Sequence, residues 1–268
     1  MNDQPYDPLK PLVISESNLS HAWGRVLWHI AKNKNTSEIK PLIVSLTGFT
    51  NGLPNEDDDI RKSLDAFLEK EKNTYSVEIV AFTIFPHRYW QVAGGDREML
   101  YQIYMDAFPH LQAANGKANN KGLYFQRLIS YGAGRGPCNG NQLEFIIKEF
   151  LARGGRRSKF QASTYDPEID SNSQSYMPFP CLQQVSFVRT DEGLVVNAFY
   201  AMQYLVERGY GNFLGLSHLG EFMATQMGMK LAQVNIMAGV EKLTYSQAKM
   251  KSLIDLVGEK VSDLDPPA

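Results

Sequence analysis

Residues 176–216, YMPFPCLQQVSFVRTDEGLVVNAFYAMQYLVERGYGNFLGL, constrain this chain more than any other stretch. Two runs rich in Val, Phe and Tyr flank the turn Asp191-Glu192-Gly193. That pattern predicts two strands joined by a glycine-containing turn. Cys181 stands ahead of the first strand, behind Met177-Pro178-Phe179-Pro180, and a polar, aromatic segment follows the second as far as Gly215. A thiol leading into strands and then into a polar cradle is an active-site layout. A small buried hydrophobe is the plain alternative for any lone cysteine.

Around that stretch, apolar residues recur at helical spacing over residues 20–32, 57–71, 97–108, 141–152, 218–229 and 245–257, which are expected to be helices. In the first, Trp23, Val26, Leu27 and Ile30 share a face and Ser20 is the expected N-cap. Short apolar runs predict strands over 40–48, 76–84, 156–165 and 233–238. Residues 111–121 and 166–175 read as loops, 123–131 as an apolar, aromatic segment holding Arg127, and 262–268 as a disordered tail. No repeat or linker divides the chain. One α+β domain over residues 1–268, a mixed sheet packed by helices, is the economical expectation.

The charge balance narrows the partners. Lys and Arg number 27 against 29 Asp and Glu, so there is no basic footprint for nucleic acid or an anionic membrane. No apolar run approaches the roughly 18 residues of a membrane span, and the opening MNDQPYDPLK lacks the pattern of a secretory signal. Two cysteines form no disulfide framework, and no Cys/His spacing points to zinc. A reduced, cytoplasmic protein without a metal is expected. The glycines of residues 132–136 fit neither the dinucleotide nor the Walker pattern and read as a plain loop with Cys138 beside it. His29 and His218 read as packed side chains, and no Ser-centred triad is present.

A nucleophilic Cys181 needs a cation to favour its thiolate. Arg156, Arg157, Lys159 and Arg208 are the candidates, although solvated or salt-bridged surface arginines are the ordinary reading of such clusters.

The order of motifs over residues 124–245 resembles the thymidylate synthase superfamily, including its pyrimidine-nucleotide hydroxymethylase branches. Tyr124-Phe125-Gln126-Arg127 and Asn141-Gln142 resemble its tyrosine-to-arginine segment and the opening of its next helix. Arg156-Arg157 through Tyr165-Asp166 resembles its basic pair and strand. Pro180-Cys181, Phe187, the turn through Leu194, and Leu214-Gly215-Leu216 follow in family order. The resemblance implies a thymidylate-synthase-like fold and a homodimer with arginines shared between subunits. It also implies covalent addition of Cys181 to C6 of a pyrimidine, with 5,10-methylenetetrahydrofolate as one-carbon donor. Tyr124, Arg127, Arg156, Arg157, Arg208, Gln203 and Asn212 are then candidate substrate contacts, and Glu98 the candidate for the family's catalytic glutamate.

Departures accompany the resemblance. The arginine after the second strand is kept as Arg208 at one family spacing and replaced by residues 201–204 at another. Ser217-His218-Leu219 stands where the family reads Pro-Phe-Asn, and Lys242-Leu243-Thr244 where it reads His-x-Tyr. Two expectations follow: a C5 methyl- or hydroxymethyltransferase acting on an altered pyrimidine nucleotide or nucleoside, or a non-catalytic protein of the same fold that binds a nucleotide or a protein partner.

Overall fold

A computed structural model describes residues 10–33, 36–116, 119–130, 136–153, 156–171, 173 and 180–264. In chain order its elements are β1 (Leu12–Glu16), α1 (Leu19–Lys32), β2 (Glu38–Ile39), β3 (Leu42–Leu46), α2 (Asp58–Lys70), α3 (Val77–Ile84), α4 (His87–Val92), α5 (Arg97–Ala114), α6 (Tyr124–Ile129), α7 (Gln142–Arg153), β4 (Gln161–Ser163), α8 (Pro167–Asp170), β5 (Leu182–Arg189), β6 (Leu194–Tyr200), β7 (Gln203–Tyr204), α9 (Tyr210–Gln226), β8 (Leu231–Ala238), β9 (Glu241–Lys242) and α10 (Lys251–Val261).

The main sheet has six strands in the order β1-β3-β8-β6-β5-β4. β1–β3 and β6–β8 run parallel, while the other pairs are antiparallel. The fold is therefore α+β with a mixed sheet packed by helices. A three-stranded sheet, β2-β9-β7, lies beside it. The alternation of the strands decides what each face does. Leu12, Ile14, Leu42, Val44, Val185, Phe187, Val196, Val234 and Ile236 point into one continuous core.

The core's central rod is α9. It is buried along nearly its whole length, from Tyr210 to Gly220 and again at Phe222 to Ala224. A helix that is apolar on all sides belongs inside. α3 packs along it with almost no gap. A Cβ on Gly211 would stand 2.5 Å from the Val80 Cβ, and one on Gly215 would stand 2.7 Å from the Ala81 carbonyl oxygen. The glycine of the Leu-Gly-Leu motif is thus a contact point between two helices.

Several expectations need correction. Residues 76–84 are a helix, not a strand. Val77, Val80, Ala81 and Ile84 are its buried residues, a helical period, and Ser76 caps it by accepting from the Ile79 N–H. The β-branched residues pointed the other way, and packing overrode them. α9 begins at Tyr210 and not at 218. Gly211 and Gly215, which weaken a helix in isolation, are what allow it to form against α3. α5 continues through Pro109 to Ala114, into the expected loop, despite the hydrogen bond that an interior proline removes. The strand expected over 156–165 shrinks to β4 behind a 3₁₀ turn, Arg157–Lys159. α10 starts at Lys251, later than expected. β1 was not expected at all, although Leu12 and Ile14 alternate into the core. The glycines at 132 and 134, the residues before Pro180 and the tail from 265 lie outside the described residues.

Candidate functional site

Cys181 sits immediately ahead of β5, and two interactions fix its backbone. Its N–H and that of Leu182 both donate to the Tyr124 hydroxyl, at 3.2 and 3.3 Å. Its carbonyl accepts from the Ala201 N–H at 2.9 Å, extending the β5–β6 pairing by one step. Tyr124 opens α6, so a helix start and a strand start are pinned at one phenol. The cysteine is free and, as a residue, exposed. Its surroundings nevertheless desolvate the sulfur: burial pushes the thiol up from its ordinary value, and the positive charge of Arg208 acts in the opposite direction.

Arg208 reaches this place from a π-helical turn, Leu205–Gly209, which runs directly into α9. Such turns hold one more residue than an α-turn and are frequent at functional sites. The Trp23 indole N–H donates to the Leu205 carbonyl at 2.9 Å, which anchors the turn to α1. The Arg208 guanidinium lies over the Tyr75 ring, 4.9 Å from its centroid. Its charge also acts on Tyr124, lowering a phenol that burial first and Cys181 second raise. Cys181, Tyr124 and Arg208 therefore form one electrostatic group.

Behind them lies a buried polar chain. The Asn212 amide donates to the Gln203 carbonyl oxygen at 2.7 Å, and the Gln203 amide donates to Glu241 Oε2 at 2.9 Å. Glu241 is completely buried on β9, and its Oε1 has no hydrogen-bond partner among the described residues. Burial raises the carboxyl well above the usual carboxylate range, the Gln203 hydrogen bond lowers it, and neighbouring Glu207 adds to the rise. Tyr200, also completely buried, likewise has an unpartnered hydroxyl. Burial, followed by Tyr124, Cys181 and Glu241, raises its phenol. Tyr200 is accordingly the group that lies within electrostatic reach of both the cysteine and the buried acid.

The other expected site residues lie elsewhere. Arg127 is buried and grips Asp170, with Nη1–Oδ2 at 2.5 Å and Nη2–Oδ1 at 2.9 Å, and it also donates to the Thr164 carbonyl at 2.8 Å. Its guanidinium is built into the framework. Gln142 is a staple too: it donates to Ser163 O and accepts from Ser163 N–H, each at 2.8 Å. Arg156 and Arg157 are exposed around the 3₁₀ turn before β4. Glu98 is exposed in the first turn of α5, its N–H capped by Asp96, and among the described residues no contact joins it to Cys181. No group of three or more His, Cys, Asp or Glu side chains is placed to hold a metal among the described residues. No described helix is long and apolar enough to cross a membrane.

Tyr200 and Glu241 are the site residues that sequence reasoning missed. Tyr200 looked like the end of a strand, and Glu241 like one charged residue in a polar turn. Only the three-stranded sheet, which sets Glu241 opposite both Gln203 and Ile39, reveals that the carboxyl is buried. Compared with known proteins, no family model and no curated sequence matches this chain.

Proposed function

We propose that this protein is a Cys181-dependent one-carbon transferase of thymidylate-synthase-like type, acting on a pyrimidine nucleotide or nucleoside. The observation that carries the reading is the exposed Cys181 at the head of β5, held by Tyr124 and facing the charge of Arg208. A thiolate in that position adds to C6 of a pyrimidine ring: the C–S bond forms, and the C5–C6 π pair moves towards C5 and the C4 oxygen. Arg208 favours the thiolate and offers a cation to a phosphate. The resemblance implies 5,10-methylenetetrahydrofolate, which supplies an electrophilic carbon for C5 when bound.

The outer face of the main sheet supports a homodimer. At the outward positions of β1, β3, β5, β6 and β8 there is no Asp, Glu, Lys or Arg, in a chain that is 21% charged. Asn235 donates to Asn197 at 2.9 Å, and Gln233 to Ser45 at 2.6 Å. Phe199 and Met237 beside them stay exposed at 37% and 43%. Loss of charge with exposed Phe and Met marks an interface centre. Amides and hydroxyls, being both donors and acceptors, suit a two-fold copy of themselves. Met237→Lys should then convert a dimer to monomer in sedimentation velocity, and a monomeric parent protein would refute this part. The free thiols of Cys138 and Cys181 fit a reducing compartment such as the cytoplasm.

A binding protein without turnover is the second reading. It is favoured by Gln203 and Asn212, which spend their amides on each other, and by the raised thiol. Release of tritium from C5-labelled pyrimidine nucleosides and nucleotides, with methylenetetrahydrofolate present, separates the two. Release that is lost in Cys181→Ser supports the transferase. Absence of release from every substrate, with tight nucleotide binding, supports the alternative.

A further inference from the structure

Arg208 differs from the other arginines that are buried or half-buried among the described residues. Arg25, Arg61, Arg97 and Arg127 each hold a carboxylate, while Arg208 holds none. Its neighbour Glu207 is not a counterion for it: Oε1 accepts from the Thr244 hydroxyl, and Oε2 has no hydrogen-bond partner among the described residues. Two acids that share a groove with Tyr75, Asp65 and Glu71, are taken by Arg61 and Lys249. What Arg208 does meet is the Tyr75 ring, 4.9 Å from its centroid. Three elements fix that contact. Tyr75 lies in the connection between α2 and α3, its hydroxyl accepts from the Asn115 amide at the end of α5, and the turn that carries Arg208 is anchored by Trp23. A guanidinium has two kinds of surface. An aromatic ring engages its face, whereas carboxylates and phosphates engage its N–H edge. A salt bridge would have spent that edge, and the ring contact does not. A half-buried cation with its edge unspent is a place for an anion.

We propose that Tyr75 is the positioning residue for Arg208: it carries the guanidinium by its face beside Cys181 and leaves the N–H edge to an anionic group of the ligand. This rests on the reading of Cys181 as nucleophile with Arg208 as its cation, and adds the residue that holds the cation in place. An arginine side chain carries about 2 kcal/mol of rotamer entropy, so a long stem needs a partner to keep its charge at one point. Tyr75 supplies that partner without competing for the ligand, and it acts through Arg208. The Asn115 contact ties the ring to α5, so the end of that helix reaches the site at second hand. Arg208 is the charge that opposes the effect of burial on the Cys181 thiol, so displacement of the guanidinium can be read at the sulfur.

The test follows the rate of Cys181 alkylation by iodoacetamide against pH, in the full chain with Cys138→Ser as background. Arg208→Ala should move the rise in rate about one pH unit higher, the low end of what an opposite charge does. Tyr75→Leu, which keeps an apolar side chain but no ring, should move it most of that way. Tyr75→Phe, which keeps the ring, should leave it within about 0.3 unit of the parent. Tyr75→Leu combined with Arg208→Ala should shift no further than Arg208→Ala alone, because the two act as one unit. Inorganic phosphate, added at constant ionic strength, should move the rise upward in the parent and in Tyr75→Phe by neutralising the guanidinium edge, and should leave Arg208→Ala and Tyr75→Leu unmoved. A merely structural Tyr75 would alter the urea midpoint and not these profiles. The proposal is overturned if Arg208→Ala or Tyr75→Leu keeps the parent's profile, if Tyr75→Phe shifts as far as Tyr75→Leu, or if phosphate leaves the parent unmoved. Neither pyrimidine nor folate enters this assay, so a failure of tritium release counts against the transferase and leaves this result standing.

Discussion

Replacing Asp170 with Asn tests whether Arg127 belongs to the framework or to a ligand. The carboxylate accepts twice from the Arg127 guanidinium, at 2.5 and 2.9 Å, and once from the Asp166 N–H at 2.8 Å. Both ion-pair side chains are buried, at 4% and 0% exposure. Hydrogen bonds to charged groups contribute about 1.5–3 kcal/mol each against about 0.5–1.5 between neutral groups, so losing charge assistance in two of them removes roughly 2–3 kcal/mol. Unpartnering a buried ion pair costs about 3–5 kcal/mol. The Thr164 and Lys121 carbonyls still accept from Arg127, which places the expected loss near the low end, about 3 kcal/mol. With a urea m-value of about 3 kcal/mol/M, the midpoint should fall by about 1 M. Urea unfolding followed by circular dichroism measures it, and an unchanged m keeps the two-state comparison valid. A loss below about 1 kcal/mol would refute the framework assignment. So would a folded variant that binds nucleotide far more weakly while its stability is intact.

Three further outcomes are expected. Alkylation of Cys181 by iodoacetamide should be slow at neutral pH and rise only above the ordinary thiol range, since burial raises the thiol; Arg208→Ala, removing the opposing charge, should move that rise to still higher pH. Burial holds His218 down to about 3, with stacked His87 (4.2 Å) and Arg61 adding to the effect. Because the folded state resists protonation and the unfolded state does not, stability should be complete above about pH 6.5 and fall by up to about 1.4 kcal/mol per pH unit below it, a slope that His218→Gln should flatten. Gly215→Ala should destabilise: overpacking against the Ala81 backbone at 2.7 Å costs about 1–3 kcal/mol, which outweighs the gain of up to about 1 kcal/mol in helix propensity. A thermal melt that rises instead would show that α3 yields easily.

How far the sequence could be read depended on the range of the forces involved. Helices with a strong stripe, such as α1 and α2, and the β5–β6 hairpin announce themselves through neighbours a few residues away. α3 did not, because its β-branched residues favour a strand until Gly211 and Gly215 offer a groove from over 130 positions later in the chain. Cys181, Tyr124 and Arg208 could be picked out because each is chemically distinctive within an ordered set of motifs. Arg127 could be picked out too, but its role could not: its partner Asp170 is 43 residues away. Glu241 was invisible for the same reason, since burial of a carboxyl is decided by three strand segments that meet only in the fold.

The strand order also sets a schedule for folding. β8, an inner strand of the main sheet, is the last of its strands to be synthesised, and it pairs with β3 on one side and β6 on the other. Leu42 meets Ala238, which lies far later in the chain. During synthesis β1–β3 and β6–β5–β4 must therefore wait as two unfinished half-sheets, each with an apolar edge open to the other or to a neighbouring chain. Such long-range closure is slow and prone to aggregation. The chain should depend on chaperones until residue 238 has emerged, and substitutions in β8 should reduce the yield of folded protein more than their effect on the finished fold would suggest.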